Sequence, residues 1–571
     1  MTTLRKVFIV LCLLAVAAVA WVWWSRPERV DMAAYVPADT LIYLEADSLP
    51  DILAAYTSTD AWRALAPREG VKSGGAGWLS RLAVLTGVGR GETVVFARAR
   101  VAVAVLGFDA TEEPGATLKF SPRAALVAET HTSEWRARPV IEKLVGDFAQ
   151  KTFGAVSVER KEVDGDAFVT WAEQSGSKRR IIASVSGGVA VVGNDEAAVR
   201  ACLEAKRGAR PSLSGVAQLG EMRARVESGG ALAFGFAPKG SAAKIFEVLA
   251  PVFVGGITQK PEAQSIMAAE LPRLINQTVL GVGWSSRLVE GSIEDRYFVS
   301  LPEDVTARLQ PAFATAAPGE GGGALALVPA GVYQVSAYNF RNPDLAWRGT
   351  NAALSARVDV SRAPFVTFGL EALVKPYGVE KPVEFLRACG PELVTARLGV
   401  ESEGKVLAAS ARDEAALRKL VREHLGARAR AERVGDAELF VSAEAGPGAA
   451  AFLAGYLLTG SEEDVRACLA ARAENRAFGG PRGPGAAAGS IFDGSHFVRT
   501  LTDDSESARA VLARFGRRVD EGGAGGQSTS DLPRGGYSLS ETRLAEDGLE
   551  KRTRSSFGLL GDLFARLAPG R

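Results

Sequence analysis

Residues 189–205 read VAVVGNDEAAVRACLEA, and residues 455–471 read GYLLTGSEEDVRACLAA. Each stretch is an apolar run followed by a helix-capping residue, Asp195 in the first copy and Ser461 in the second. Both side chains can accept a hydrogen bond from an N–H group that has no partner in the first helical turn. The shared VRACL segment predicts a helix that covers a sheet, with its Val, Cys and Leu side chains inward and its Arg side chain outward. The inward residues are Val199, Cys202, Leu203, Val465, Cys468 and Leu469, and the outward residues are Arg200 and Arg466.

Other short matches follow in the same order along the chain and indicate a duplication. They are VPA at 36–38 and 328–330, PD at 50–51 and 343–344, GDA at 165–167 and 435–437, RL at 287–288 and 543–544, and ARL at 307–309 and 565–567. The separation falls from 292 at the first match to 258 at the last. A period of this length is far too long for a solenoid repeat and predicts two domain-sized halves.

The pattern of elements within each half predicts an α+β fold. Strand-like runs cluster in meanders joined by Gly- and Asp-containing turns, and helices occur between the meanders, which is typical of antiparallel sheets. We therefore expect two tandem copies of a similar antiparallel-sheet-plus-helices domain. The first α+β half spans 37–315, a Gly-rich linker spans 316–328, and the second half spans 329–571.

Periodicity also predicts individual helices and loops. Helices are expected at 78–86, 139–153, 242–253 and 505–515, and loops at 251–264 and 316–323. The helix at 139–153 is expected to turn Val140, Ile141, Leu144, Val145 and Phe148 inward.

Residues 7–24, VFIVLCLLAVAAVAWVWW, contain no charged side chain. Eighteen helical residues extend about 27 Å, which is enough to cross the hydrocarbon core of a bilayer. Arg5 and Lys6 precede this run, so residues 1–6 are expected to form a cytoplasmic tail. Residues 25–36 form a polar tether in this interpretation. We thus predict a single-pass protein of the inner (cytoplasmic) membrane whose C-terminal bulk is periplasmic or extracellular. The alternative is a cleaved signal peptide, because residues 18–20 (AVA) have the small-x-small form of a cleavage site.

Composition excludes several classes of protein. Lys and Arg number 67 and Asp and Glu number 66, so the overall charge gives no reason to expect a nucleic-acid partner. The hydrophobic content of 47% is enough for large cores and excludes global disorder. The four cysteines, Cys12, Cys202, Cys389 and Cys468, include no CxxC pair. We expect buried free thiols, with a single Cys202–Cys468 bridge as the alternative.

The sequence offers few candidates for catalysis. His131, His424 and His496 have no metal-ligand neighbour at helical or strand spacing. The SxxK pattern of some acyl-transfer enzymes occurs three times, and only Ser241 and Lys244 stand at the start of a predicted helix. The three occurrences are Ser175…Lys178, Ser241…Lys244 and Ser402…Lys405. We therefore predict no catalytic, cofactor-binding or metal-binding residue and no cofactor.

Two acidic pairs could form a catalytic carboxylate dyad, and each has a simpler interpretation. Glu112-Glu113 precedes Pro114 in an expected turn. Asp503-Asp504 precedes an expected helix, where the two carboxylates would complement the helix dipole. The Gly-rich run at 87–91 does not match a dinucleotide-binding pattern and is interpreted as a helix-ending turn.

The two ends of the part that follows the tether carry a family resemblance. Residues 36–67 (VPADTLIYLEADSLPDILAAYTSTDAWRALAP) and residues 538–558 (SLSETRLAEDGLEKRTRSSFG) resemble bacterial domain of unknown function family 3352. Proteins of that family are typically anchored by one N-terminal helix. The resemblance implies this topology and implies no activity, ligand or catalytic residue.

Two classes of function follow from the sequence. The favoured class is a non-catalytic, membrane-tethered envelope protein that binds a protein, lipid or cell-wall partner. The alternative is an envelope hydrolase or acyltransferase that uses Ser241 and Lys244. A short linker should hold the two halves close together, and a groove between similar domains is the usual place for a ligand. We expect the lining of such a groove to be apolar with few charges.

Overall fold

The computed structural model describes residues 30–65, 95, 99–113, 117–174, 179–227, 230–255, 261–316, 323–400, 405–444, 448–478, 496–516 and 536–567. These residues form helices and antiparallel strands, so the α+β fold class is confirmed. We call residues 30–316 the first half and residues 323–567 the second half.

Twenty β-strands lie within the described residues, ten in each half. The strands of the first half are β1 (Ile42–Ala46), β2 (Arg100–Glu113), β3 (Thr117–Glu129), β4 (Val156–Val163), β5 (Asp166–Glu173), β6 (Arg180–Ser186), β7 (Val189–Gly193), β8 (Ala233–Ala237), β9 (Gly281–Val289) and β10 (Ser292–Ser300). The strands of the second half are β11 (Gln334–Asn339), β12 (Cys389–Arg397), β13 (Lys405–Ala411), β14 (Arg430–Val434), β15 (Ala437–Val441), β16 (Ala449–Leu453), β17 (Tyr456–Gly460), β18 (Val498–Asp503), β19 (Tyr537–Ala545) and β20 (Gly548–Ser555).

The same residues form fifteen α-helices. In the first half these are α1 (Leu49–Thr57), α2 (Asp60–Leu65), α3 (Glu134–Phe153), α4 (Glu196–Lys206), α5 (Ala217–Val226), α6 (Ser241–Gly255), α7 (Pro261–Thr278) and α8 (Glu303–Ala312). In the second half they are α9 (Pro343–Ser355), α10 (Ala363–Val374), α11 (Pro382–Ala388), α12 (Glu414–Leu425), α13 (Glu462–Ala473), α14 (Ser505–Gly516) and α15 (Gly558–Leu567). Short 3₁₀ turns are formed by Met32–Tyr35, Leu213–Gly215, Leu325–Leu327 and Lys375–Tyr377.

The order of the strands in the sheet is the same in both halves. In the first half the order is β4-β5-β6-β7-β3-β2-β1-β8-β9-β10. In the second half it is β14-β15-β16-β17-β13-β12-β11-β18-β19-β20. Adding ten to each strand number of the first half gives the second, and every pairing is antiparallel. The last strands, β10 and β20, also pair antiparallel, so the two halves share one continuous sheet.

The pairing of β10 with β20 creates a local two-fold axis. Arg296 is the fifth residue of β10 and Arg552 is the fifth residue of β20. These two residues lie directly opposite each other in the register. Equivalent positions that face one another across an antiparallel pair are related by a two-fold rotation, as in a symmetric dimer interface.

The repeated VRACL helix occupies the same place in both halves, as predicted. Asp195 caps α4 by accepting from the N–H of Ala198 at 3.0 Å, and Ser461 caps α13 by accepting from the N–H of Asp464 at 3.1 Å. All six predicted inward residues are buried, and the cysteines are free thiols. The outward Arg200 instead bonds Glu196 one turn earlier.

Two equivalent glycines show why the strand before each helix ends as it does. A Cβ atom on Gly193 would lie 2.7 Å from the backbone oxygen of Ala124 on the neighbouring strand. A Cβ atom on Gly460 would lie 2.8 Å from the backbone oxygen of Lys405. Only glycine allows the two backbones to approach this closely. The same steric requirement therefore recurs at the matching turn of each half.

The first residues of the expected tether belong to the folded body. Met32, Ala33 and Val36 are fully buried in the core that contains α4. Pro37 forms an antiparallel bridge with Ser212, and Pro329 forms the matching bridge with Ala477. The VPA repeat thus marks the same bridge in both halves, and the body begins at or before Met32 rather than at residue 37.

Helix α3 covers the face of the sheet opposite to the one that α4 covers. Two of our expectations about helices differ from the structure. Helix α3 begins at Glu134, and its buried residues are Ala137, Ile141, Val145 and Ala149, whereas Phe148 is exposed. The expected inward position of Phe148 is wrong because Trp171 packs next to Gly146 and moves the buried stripe toward the small residues. The expected loop at 251–264 is also wrong, because α6 continues to Gly255 and α7 starts at Pro261.

The C-terminal helix of each half packs over strands near the junction with the other half. Leu301, Val305 and Leu309 of the α8 region join a core with Leu544 and Leu549 of the second half. Reciprocally, Phe557 at the start of α15 packs with Ile52 and Tyr56 of α1 and with Ile293 of β10. The two halves are therefore interlocked by apolar contacts in addition to the shared strand pairing.

Both outer edges of the sheet carry charged side chains. Glu159, Arg160 and Glu162 are exposed on β4, and Arg430 and Arg433 are exposed on β14. Charges on an edge strand discourage pairing with further chains. These charges therefore disfavour the addition of further strands at both ends of the sheet.

Several predictions fall on residues outside the described ranges. They are the apolar run at 7–24, the helix at 78–86, the glycines at 87–91, and most of the linker at 316–323. Among the helices that the structure describes, none combines the length and apolar character needed to cross a bilayer.

Candidate functional site at the centre of the sheet

Long charged side chains line one face of the four central strands, β9, β10, β19 and β20. The register places Glu294 opposite Arg287 and Arg554, and Arg296 opposite Arg552, so these side chains share a face. We call this set the arginine strip, and it consists of Arg287, Glu294, Arg296, Glu541, Arg543, Glu550, Arg552 and Arg554. This surface is strongly charged, whereas we expected an apolar lining for a binding groove between the halves.

The carboxylate of Glu294 is the centre of the strip and is fully buried. Its oxygens accept from Arg287 Nη2 at 2.6 Å, Arg296 Nε at 2.9 Å and Arg554 Nε at 3.1 Å. Burial alone would raise the pKa of Glu294, but the hydrogen bonds from these arginines lower it to about 2. Glu294 is therefore ionised at every physiological pH, and it ties residues of both halves together.

The matching carboxylate in the second half has a simpler environment. Glu550 accepts from Arg543 Nε at 2.8 Å, which repeats the pair formed by Arg287 and Glu294. The position equivalent to Arg554 in the first half is occupied by Phe298, which is buried. The strands of the strip are thus related by two-fold symmetry, whereas their charged side chains are not.

Helix α5 flanks the strip on the side of the first half. The guanidinium of Arg225 lies 5.6 Å from the ring centre of Phe298, and Arg225 also pairs with Asp547. On the side of the second half, Arg499 of β18 pairs with Glu541. Side chains of the strip remain partly exposed between these flanks, with 33% exposure at Arg552 and 44% at Arg554.

The opposite face of the same strands carries buried carboxylates. Asp295 accepts from Trp284 Nε1 at 3.1 Å and from the N–H of Leu559 at 2.7 Å. Burial raises the pKa of Asp295, and Asp562 contributes in the same direction. Asp295 thus holds the start of α15 against β10.

Asp504 holds the same segment from the side of α14. Its carboxylate accepts from the N–H of Ser556 at 2.6 Å. Burial raises the pKa of Asp504 to about 6, and the neighbouring Asp562 and Asp503 add to the effect. From the sequence we expected Asp504 to complement the dipole of the following helix. The structure adds a hydrogen bond from the N–H of Ser556, which lies 52 residues away and is not indicated by the local sequence.

The Ser/Lys pair predicted from the sequence does not converge on a shared cleft. Ser241 is buried at the start of α6, whereas the side chain of Lys244 is exposed. Ser175, Lys178 and Ser402 lie outside the described residues, as do the side chains of Glu112 and Glu113.

Each histidine has a glutamate as neighbour. Nδ1 of His424 lies 3.2 Å from Glu380, and the corresponding distances are 4.0 Å for His131 to Glu129 and for His496 to Glu541. In the part of the chain that the structure describes, no three His, Cys, Asp or Glu side chains are arranged to hold a metal ion. Cys202 and Cys468 lie in separate cores as free thiols, so the alternative of a bridge between them is wrong.

Sequence reasoning missed the arginine strip. The signal was present as alternation, because Arg552 and Arg554 are two residues apart in β20 and Glu294 and Arg296 are two residues apart in β10. Residues two apart in a strand share a face. The pairing of strands from opposite halves, which brings the two patterns together, cannot be read from local spacing.

Comparison of this chain with protein-family models, curated proteins and solved structures gave no match in any of the three. The resemblance to family 3352 therefore stays a prediction.

Proposed function

We propose that the chain is a membrane-tethered envelope protein that acts by binding a protein, lipid or cell-wall partner and not by catalysis. The observation that carries this proposal is the arginine strip, because partly exposed guanidinium groups on a sheet face are suited to recognising anions. Two serine hydroxyls near it are engaged by backbone carbonyls. Ser285 donates to the carbonyl of Val226, and Ser292 donates to that of Val289.

We also propose that the two halves are copies of one ten-strand unit. The identical strand order supports this, as do the matching Pro37 and Pro329 bridges and the matching close approaches at Gly193 and Gly460. Three independent features recur at equivalent places, which is more than a shared architecture requires.

The membrane tether is supported by the uncharged run at 7–24 and by Arg5 and Lys6 before it. The folded body starts at or before Met32, so only a few residues separate it from the proposed anchor. A segment of about seven residues extends at most ~25 Å. The body should therefore lie close to the membrane surface.

Topology and anchoring can be tested directly. A reporter enzyme that is active only after export should be active when it is fused after Arg571. The full-length protein should sediment with membranes and remain there after a salt wash. Activity restricted to the cytoplasm would refute the topology. Mature protein that starts at Trp21 would replace the anchor with a cleaved signal peptide.

Site-specific crosslinking tests the binding surface. A photoreactive residue in place of Arg543, at the exposed end of the strip, should give discrete adducts in intact membranes. The same residue in place of Arg430, on the outer edge strand β14, is the matched control and should give none. The proposal fails if both positions give the same adducts or if position 543 gives none.

A further inference from the structure

The charges of the arginine strip do not balance. The strip holds five arginines and three glutamates, which leaves two positive charges in a chain that is otherwise almost neutral. Among the flanking side chains, Arg499 pairs with Glu541 and Glu290 lies 3.8 Å from Arg554, so these two charges offset each other and the excess stays at two. A surplus of charge confined to one partly exposed surface is typical of a site for a ligand of the opposite sign.

Arg552 is the least committed member of the strip. Its Nε lies 3.9 Å from Glu294, beyond hydrogen-bond range. This Nε is shielded from solvent and has no hydrogen-bond partner among the described residues. A buried donor on a charged group is costly to leave unpaired, so an oxyanion that reaches it gains a strong interaction.

The asymmetry of the strip adds to this argument. Within the described ranges, Glu550 accepts from a single arginine, Arg543, although it occupies the position equivalent to Glu294. At the other carboxylate, Glu294, four arginines gather because Arg554 stands where the first half has Phe298. The extra guanidinium is therefore not required by the strand pairing.

The geometry favours a compact anion over a long polymer. Four strands about 4.8 Å apart make a strip only ~15–20 Å wide, and helix α5 limits it on one side. Planar guanidinium groups match the oxygens of a phosphate, as they match those of a carboxylate, in a two-point arrangement. Two surplus charges match the charge of one phosphate monoester and are sufficient for the single charge of a phosphodiester.

We propose that the arginine strip binds a phosphate group, with Arg296 and Arg552 as the contacting residues across the two-fold axis. This inference rests on the proposed binding function and specifies its ligand. The phosphate group could belong to a lipid headgroup, which offers two non-bridging oxygens, or to a free phosphate ester, which offers three.

Calorimetry on the full-length protein in non-ionic detergent and phosphate-free buffer tests the proposal. The probes are dihexanoyl phosphatidylglycerol, glycerol 3-phosphate and, as a neutral comparison, dihexanoyl phosphatidylcholine. We expect saturable binding of phosphatidylglycerol and much weaker binding of phosphatidylcholine, because the quaternary ammonium beside the phosphate of phosphatidylcholine is repelled by the arginines of the strip. Binding should weaken at least tenfold in Arg552→Gln, weaken less in Arg552→Lys, and stay unchanged in Arg430→Gln.

The two sources are distinguished by glycerol 3-phosphate. Binding as strong as that of phosphatidylglycerol indicates a free ester, and much weaker binding indicates a lipid headgroup. The proposal is overturned if no phosphate probe binds saturably, or if Arg552→Gln binds as the wild type does. Arg554→Gln serves as a second variant if Arg552→Gln melts early. Export and crosslinking at position 543 are measured separately, so their success would leave the proposed function in place.

Discussion

Replacing Asp504 by asparagine should remove a pH dependence that is built into the junction of the two halves. Burial raises the pKa of Asp504 from 3.8 to about 6, while its carboxylate accepts the N–H of Ser556. A raised pKa in the folded state means that protonation stabilises the fold. This stabilisation is complete below pH 3.8 and is lost as the pH rises through 6.

The size of the effect follows from the pKa values. The full difference from 3.8 to about 6 corresponds to ~3 kcal/mol of unfolding free energy. Between pH 5 and pH 8 the same linkage gives a loss of about 1.4 kcal/mol. Asp295 acts in the same direction because burial raises its pKa as well. The wild-type protein should therefore be less stable at pH 8 than at pH 5 through these groups.

Urea unfolding of the full-length protein in detergent, at pH 5 and pH 8, measures the difference. An asparagine side chain at position 504 keeps an oxygen for the N–H of Ser556 and cannot ionise, so Asp504→Asn should reduce the change between the two pH values by ~1.4 kcal/mol. Glu159→Gln is the control, since Glu159 is an exposed carboxylate on the outer edge strand β4, far from this junction. If Asp504→Asn keeps the full pH dependence, or if Glu159→Gln reduces it as much, the assignment of the buried proton is refuted.

Three further predictions concern stability and use the same unfolding assay. Leu203→Ala should cost ~2–5 kcal/mol, because Leu203 is fully buried, while Arg200→Ala should stay within about 0.5 kcal/mol; the reverse result would mean that the faces of α4 are misassigned. Glu294→Gln should lower the free energy of unfolding by ~3–5 kcal/mol, because loss of the carboxylate leaves the surrounding arginines unpaired. The loss should be the same at pH 5 and at pH 8, because a pKa of about 2 keeps Glu294 ionised at both. An unchanged stability would contradict this account of the strip. Gly460→Ala should cost ~1–3 kcal/mol through the clash with the neighbouring backbone, whereas Gly220→Ala, which meets no atom, should be neutral or slightly stabilising; equal effects would argue against the close approach.

The sequence contained enough information to locate the helices that organise each half. A cap, an apolar face and a preceding strand are local features, and Asp195 and Ser461 cap as expected. The order of the short repeats also indicated that equivalent segments would occupy equivalent places, and the Pro37 and Pro329 bridges agree.

Local patterns could not indicate what depends on distant pairing. Nothing near Glu294 in the sequence indicates that Arg554, 260 residues later, donates to it. The pairing of β10 with β20 is accompanied by the packing of α8 and α15 against the other half, and these contacts also join residues that are far apart in the sequence. Burial of Phe148 was likewise predicted from helical period alone, and the contact of Trp171 with Gly146 changed the outcome.

The pairing of β10 with β20 has a consequence for a fragment that contains only the first half. A fragment that stops after residue 316 would leave β10 as an open edge of nine residues with unpaired N–H and C=O groups. In the intact chain that edge meets its own counterpart about a two-fold axis, so a second copy of the fragment offers a matching surface. If the two halves are copies of one unit, as we propose, the chain corresponds to a symmetric homodimer whose two subunits are fused into one polypeptide. Fusion would fix the stoichiometry of such a dimer and allow each subunit to diverge, and the presence of Phe298 and Arg554 at equivalent positions would be an example of such divergence.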